Sequence, residues 1–424
     1  MRKRYSLFIY LITPLVLLYL VFRGLRDRAY LRRWPERFGF IHTPSAAGSI
    51  VIHAVSMGEV NAASALVTKL TKRYPGIPLC LTCLTPTGSA RIRALFGDAV
   101  SHVYIPLDLP GAVRRFFDRA DPRLVIIMET EIWPNLYHEA HRRKIPLLIV
   151  NARISDNSFG NYRRFRKLIA APLSRVSHIA AQSRQDAARL AELGANETRL
   201  SVSGNLKFDV RLPPSLLEQG DSIRSAWGTD RLVLLAGSTH EADEGVVLEA
   251  FSGLLKTFPA ALLVLVPRHP ERFGRAEQLA RSAGLRVSLR STGASCARST
   301  QCFVIDTMGE LLRYYAACDV AFVGGSIDPI GGHNVLEPAA LSRPVVVGPH
   351  TFNFAEITQA LIESEAAVRI KDAAELEQAV ARLFTEPELR DRMGRSGREL
   401  VRSGQGALNH TLELLEAVIT PTTD

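Results

Sequence analysis

Cysteine is scarce in this 424-residue chain, which has five, an odd number, widely scattered. Cys80 and Cys83 form a C-x-x-C, but inside the run Leu79 to Leu84, which reads as a strand. Alternation along a strand points residues three apart to opposite faces, so the pair suits neither a redox couple nor a metal clamp. Buried thiols in a reducing compartment fit better. No G-x-G-x-x-G follows the first strand of either half, and no Walker lysine motif occurs, which argues against dinucleotide dehydrogenases and P-loop enzymes. Recognition helices, zinc-finger spacings and aromatic–basic interleaving are also missing. The net charge of +10 therefore points to an anionic partner other than nucleic acid, such as phospholipid head groups or a phosphorylated substrate. A hydrophobic content of 47% and a charged content of 22% are those of a folded chain long enough for two full domains.

What is present begins with Met1-Arg2-Lys3-Arg4, an apolar run from Leu7 to Phe22 broken by Thr13-Pro14, and then Arg23, Arg26, Arg28, Arg32, Arg33 and Arg37. No small-residue cleavage site follows, so this is not a signal peptide. It reads as a membrane anchor, either a tilted span or a helix lying in the interface, with its arginines on anionic lipid. From Ser49, apolar runs alternate with helical periodicity. Strands are expected at Ser49–Val55, Pro78–Leu84, Val100–Pro106, Leu124–Met128, Pro146–Val150 and His178–Ala181. After a Pro213-Pro214 break a second series follows at Leu232–Ala236, Ala261–Val266, Cys302–Ile305, Val320–Val323 and Val345–Val347. This is the pattern of two parallel α/β sheets, that is, paired Rossmann-like domains with a cleft between them. The domain boundaries read as 1–40 (anchor), 41–207, 208–400 and 401–424, the last a helix expected to cross back to the first domain.

Ligands in such sheets bind beyond the carboxyl ends of the strands, so the chemistry is sought there. In the first half these ends carry Ser56-Met57-Gly58-Glu59, Glu129-Thr130-Glu131-Ile132-Trp133-Pro134-Asn135 and Asn151-Ala152-Arg153. A carboxylate among them can act as a general base. Glu59 opens a helix, whose dipole lowers its pKa, so a useful base there needs counteracting burial. One of Glu129 and Glu131 is expected to be structural. In the second half the strand ends carry Gly237-Ser238-Thr239-His240-Glu241, Pro267-Arg268-His269 and Asp306-Thr307-Met308-Gly309-Glu310. Gly324 to Glu337 form a glycine-rich loop opening a short helix at about Asn334, where free N–H groups would meet an anion and Asn334 and Glu337 share a face. Arg163, Arg164, Arg166, Lys167 and Arg175 form a basic patch suited to acceptor phosphates, to the membrane, or simply to solvent.

Taken in order, these motifs resemble the bacterial Kdo (3-deoxy-D-manno-octulosonic acid) transferases of lipid A assembly, over nearly the whole chain. The resemblance implies a GT-B fold and an inverting transfer of Kdo from CMP-Kdo to the tetraacylated lipid A precursor, without cofactor or metal, at the cytoplasmic face of the inner membrane. It implies Glu59 as the base and a supporting role at the acceptor site for Glu129 or Glu131. CMP would be held by Ser238, Thr239, Arg268, His269, Met308, Gly309, Glu310, Gly332, Asn334 and Glu337. Two other readings compete: a GT-B enzyme using a UDP-sugar, and a membrane-bound scaffold without turnover.

Overall fold

The computed structural model describes residues 1–41, 48–210, 212–293 and 296–419. Contacts divide the chain into two units, Met1–Asp209 with Gln405–Asp424, and Val210–Gly404. Arg211, in the linker next to the Pro-Pro break, lies outside the described residues.

Unit 1 is built on seven parallel strands: β1 (Ser49–His53), β2 (Leu79–Cys83), β3 (Ser101–Tyr104), β4 (Pro122–Met128), β5 (Leu147–Ala152), β6 (His178–Ala181) and β7 (Leu200–Val202). Their order is β3-β2-β1-β4-β5-β6-β7, so the direction of winding reverses between β1 and β4. Both faces are buried, which is why these strands read as continuous apolar runs rather than alternating ones. In β4, Val125 and Ile127 pack into one core while Leu124, Ile126 and Met128 pack into the other. Cys80 and Cys83 fall in opposite cores in the same way, and all five cysteines are buried and free, as expected. The second core is closed by the helix Ala407–Ile419, through Leu408, Leu412, Leu415 and Ile419. Asp209 accepts from the N–H groups of Gly406 (2.9 Å) and Leu408 (2.7 Å) and fixes the entry to that helix.

The apolar N-terminal run is one unbroken helix, Arg2–Arg26, and Pro14 does not interrupt it. By length and composition it could cross a membrane. Its first turns are tied to unit 1: Asn135 Oδ1 accepts from Ser6 Oγ at 3.0 Å and from Arg2 at 3.3 Å. Its other end runs directly into Arg28–Leu31 and Trp34–Arg37, which also pack on unit 1. Two of the arginines expected to face lipid turn inward instead. Arg33 donates to Ser89 Oγ and to the His102 carbonyl, and Arg37 is buried, donates to the Leu84 carbonyl and lies over the Tyr104 ring. His102 lies on the edge strand β3 and Leu84 just past the end of β2, where a guanidinium turned inward can satisfy backbone carbonyls.

Unit 2 repeats the plan with β8 (Val233–Thr239), β9 (Leu262–Pro267), β10 (Val287–Leu289), β11 (Cys302–Val304), β12 (Val320–Val323), β13 (Val345–Val347) and β14 (Ala367–Arg369). The order β10-β11-β9-β8-β12-β13-β14 reverses between β8 and β12.

Candidate active site

In open parallel sheets, ligands bind where the strand order reverses. In unit 1 that point lies beyond β1 and β4, whose ends carry Glu59 and the Glu129–Glu131 pair. Glu59 sits in the first turn of the helix Met57–Arg73 and accepts from the Val55 N–H at 2.8 Å. The helix dipole and this bond favour its charged form. Burial opposes them and dominates, and Glu129 and Glu131 add repulsion, so the Glu59 carboxyl is pushed up to about 8.

The two neighbouring carboxylates are held differently. Glu129 has a left-handed backbone (φ 54°) and pairs with Arg153 Nε at 2.8 Å. A non-glycine residue in that region stores strain, which marks the turn as constrained by its surroundings. Glu131 accepts from Trp133 Nε1 at 2.9 Å, and burial raises its pKa. Trp133 meets His53 edge-on, with ring centroids 5.9 Å apart. His53 is buried, bonded through Nδ1 to Thr82 Oγ1 at 2.9 Å, and held to about 4 by desolvation, so this histidine is a neutral support under the carboxylate cluster. Sequence reasoning missed it because a lone histidine in an apolar strand carries no signal. Asn151 is also left-handed (φ 55°), fully buried, and its Oδ1 accepts from the Leu206 N–H at 2.9 Å. Asn135 is likewise structural: its N–H and that of Leu136 bond the buried Asp108 carboxylate at 2.9 and 2.8 Å.

In unit 2 the reversal lies beyond β8 and β12. Gly324 is required there, since a Cβ would lie 2.6 Å from the Ser238 carbonyl oxygen. The organising side chain is Asp243, which is buried and was not singled out from the sequence. Its carboxylate accepts from the N–H groups of His240 (2.8 Å), Gly325 (2.7 Å), Ser326 (3.3 Å) and Ile327 (3.1 Å), fastening the loop after β8 to the loop after β12.

The other expected ligand groups of unit 2 lie in loops after its strands, some of them accessible. The Arg268 side chain makes no hydrogen bond or ion pair among the described residues, yet its charge is felt by His240, His333 and Glu337. Met308 is exposed, and Gly309 (φ 83°) and Gly332 (φ 76°) take left-handed backbone. Ser238 is left-handed as well (φ 56°), at a bulge in β8. His269 is exposed and meets His240 edge-on at 5.4 Å.

Three expectations change. Thr239 is completely buried with its hydroxyl turned to Glu244, so its side chain cannot touch a ligand. Glu310 is occupied by Thr307, Arg313 and Arg290. The short helix begins at Leu336 rather than about Asn334 and spans only Leu336–Ala340. Asn334 Oδ1 accepts from the Leu336 N–H (3.1 Å), and its amide donates to Glu337 Oε1 (3.0 Å). One N–H of that helix start is thus taken by the protein itself, and a helix of five residues is a weak anion site by itself, which puts more weight on side chains such as Arg268. Among the described residues no group of three or more His, Cys, Asp or Glu is arranged to hold a metal ion.

Residues 32–210 match the family described as 3-deoxy-D-manno-octulosonic-acid transferase, and residues 230–400 match glycosyl transferases group 1. A 3-deoxy-D-manno-octulosonic acid transferase of Haemophilus influenzae is 40% identical over 98% of both chains. The transferase of the same name from Bordetella pertussis is 37% identical over 98% of this chain and 99% of its own. The solved UDP-GlcNAc 2-epimerase of Neisseria meningitidis covers 87% of this chain and 99% of its own with a TM-score of 0.54 at 13% identity, a likeness of fold alone. With two doubly wound units of GT-B type and a near-full-length likeness to these transferases, the chain belongs to the 3-deoxy-D-manno-octulosonic acid transferase family.

Proposed function

We propose that this protein transfers Kdo from CMP-Kdo to a sugar hydroxyl of the tetraacylated lipid A precursor, with inversion at the anomeric carbon. The observation that carries the reading is the Glu59 carboxyl, raised to about 8 by burial and two neighbouring carboxylates at the reversal point of unit 1. A base tuned near neutrality can accept a proton in the transition state and then return it to water. In the step proposed, the acceptor oxygen forms a bond to the anomeric carbon and gives its proton to Glu59. The bond from that carbon to the phosphate oxygen breaks, and CMP leaves with the electron pair. Arg268 stabilises the departing phosphate, and the Glu337 oxygen not bonded to Asn334 accepts from the ribose hydroxyls. No step calls on a metal.

The helix Arg2–Arg26 serves this reading as a membrane anchor lying in the interface. Both its ends are tied to unit 1, whereas a span across ~30 Å of hydrocarbon would separate them. Leu7, Leu11, Leu15, Leu18 and Phe22 are left exposed for lipid.

The test is transfer from CMP-Kdo to the tetraacyl precursor, with product mass read by mass spectrometry, for wild type and Glu59→Gln. Transfer by wild type and its near-loss in a folded, CMP-binding variant supports the reading. A folded wild type that transfers nothing overturns it, and full activity in the variant removes Glu59 as the base.

A further inference from the structure

His240 and His333 lie 93 residues apart in sequence and meet nitrogen to nitrogen, with Nε2 of one 3.0 Å from Nε2 of the other. Their ring centroids are 5.3 Å apart and their planes differ by 12°. Two ring radii plus a 3.0 Å contact span that distance, so the imidazoles meet edge to edge in one plane, as a hydrogen bond requires, rather than face to face. The His333 ring lies against Gly325 (φ 68°), where a Cβ would approach it to 2.9 Å, so the glycine makes room for this orientation.

Such a contact fixes the protons. Burial lowers both pKa values, His333 to about 3, so both rings are neutral and each carries one N–H. An N–H···N bond needs one protonated and one bare Nε2. The ring that donates is therefore bare at Nδ1, and the ring that accepts carries its proton on Nδ1. His240 opens the helix Glu241–Thr257 with its side chain turned toward the Asp243 N–H, short of a full cap hydrogen bond. A donor facing the ring favours a bare nitrogen on that side of His240. His240 is thus the donor at Nε2, and the proton of His333 sits on Nδ1. This N–H has no partner among the described residues. Arg268, whose charge reaches both rings, likewise has a guanidinium without a partner among the described residues. Two donors without an acceptor define a place for an oxyanion.

We propose, building on the function above, that His333 Nδ1–H and Arg268 together hold an oxyanion of the donor substrate, a phosphoryl or a carboxylate oxygen, and that His240 is the positioning residue that fixes the His333 tautomer. Arg268 supplies charge. His333 supplies a neutral, directional donor that holds no extra proton to pass to the leaving group.

The experiment uses the full-length protein in detergent, with ¹⁵N-labelled histidine and calorimetric titrations of CMP, cytidine and CMP-Kdo. The expected spectrum shows His240 protonated at Nε2 and His333 at Nδ1, each resonance assigned by its loss in His240→Asn or His333→Asn. The reverse assignment overturns the proposal whatever the variants do. His333→Ala is expected to weaken binding about tenfold, the cost of one hydrogen bond to a charged group. If the oxyanion is the phosphoryl, CMP weakens and cytidine does not; if it is the carboxylate, only CMP-Kdo weakens. His333→Asn, which keeps an N–H near the Nδ1 position, recovers part of the loss. His240→Asn, which keeps an acceptor for Asp243 but no donor for His333, gives an intermediate loss. Unchanged affinity for all three ligands in His333→Ala, beside a wild type that transfers Kdo, refutes this inference alone. Absence of transfer by a wild type with the expected tautomers refutes the function and leaves the oxyanion site standing.

Discussion

The pH dependence of transfer tests the role of Glu59 more sharply than its removal does. With its carboxyl at about 8, about a tenth of the free protein has an ionised Glu59 at pH 7 and about a hundredth at pH 6. Since kcat/KM reports the free enzyme, it should rise about tenfold per pH unit up to pH 7 and level off above pH 8. Repulsion from Glu129 is one cause of the shift, so Glu129→Gln should move this limb to lower pH, and Glu59→Gln should lose it together with about 10²–10⁴ of the rate. Stability gives an independent check. The folded pKa lies above the unfolded one, so the contribution of protonated Glu59 is complete below about 4.5 and is lost as pH rises through about 8. The Tm of wild type should therefore fall relative to Glu59→Gln across that window. A kcat/KM that is level from pH 6 to pH 8, or a limb that survives in Glu59→Gln, would refute the reasoning.

Three further outcomes are expected. Asp243→Ala strands four backbone N–H groups, at about 1–3 kcal/mol for each that stays dry; chemical denaturation should show a large loss of stability, and calorimetry a loss of CMP binding. Leu415→Ala empties a fully buried position where the last helix meets unit 1 and should cost about 2–5 kcal/mol by denaturant titration; a cost below 1 kcal/mol would mean the helix does not close that core. Replacing Leu11 and Leu18 by Asp should release the protein from anionic vesicles in sedimentation while leaving its circular dichroism unchanged, because both are exposed.

Much of this arrangement was legible in the residues. Val320–Val323 and Val345–Val347 read correctly to the residue because strands buried on both faces leave an unbroken apolar run. The residues placed at the two reversal points were found by looking past each strand. Three edge strands, Leu200–Val202, Val287–Leu289 and Ala367–Arg369, were not found: each is three residues long, only partly buried, and has no apolar run to announce it. Asp243, His53 and the His240–His333 contact were missed for another reason. Their meaning lies in partners far along the chain, and no local spacing encodes a bond across 93 residues. Arg33 and Arg37 misled in the opposite sense, since charge in a basic run signals solvent or lipid until backbone carbonyls far along the chain claim it.

The return of residues 405–419 to unit 1 bears on how the molecule is made. The helix that completes the second core of unit 1 leaves the ribosome only after all of residues 210–404. At the usual ~5–20 residues/s of synthesis, the apolar patch that Leu408, Leu412 and Leu415 will cover stays open for roughly 10–40 s while unit 2 is translated. The half that carries Glu59 is thus finished only after all of unit 2 has been made. A chain stopped after residue 404 would have a whole unit 2 beside a unit 1 whose core is open to chaperones and proteases.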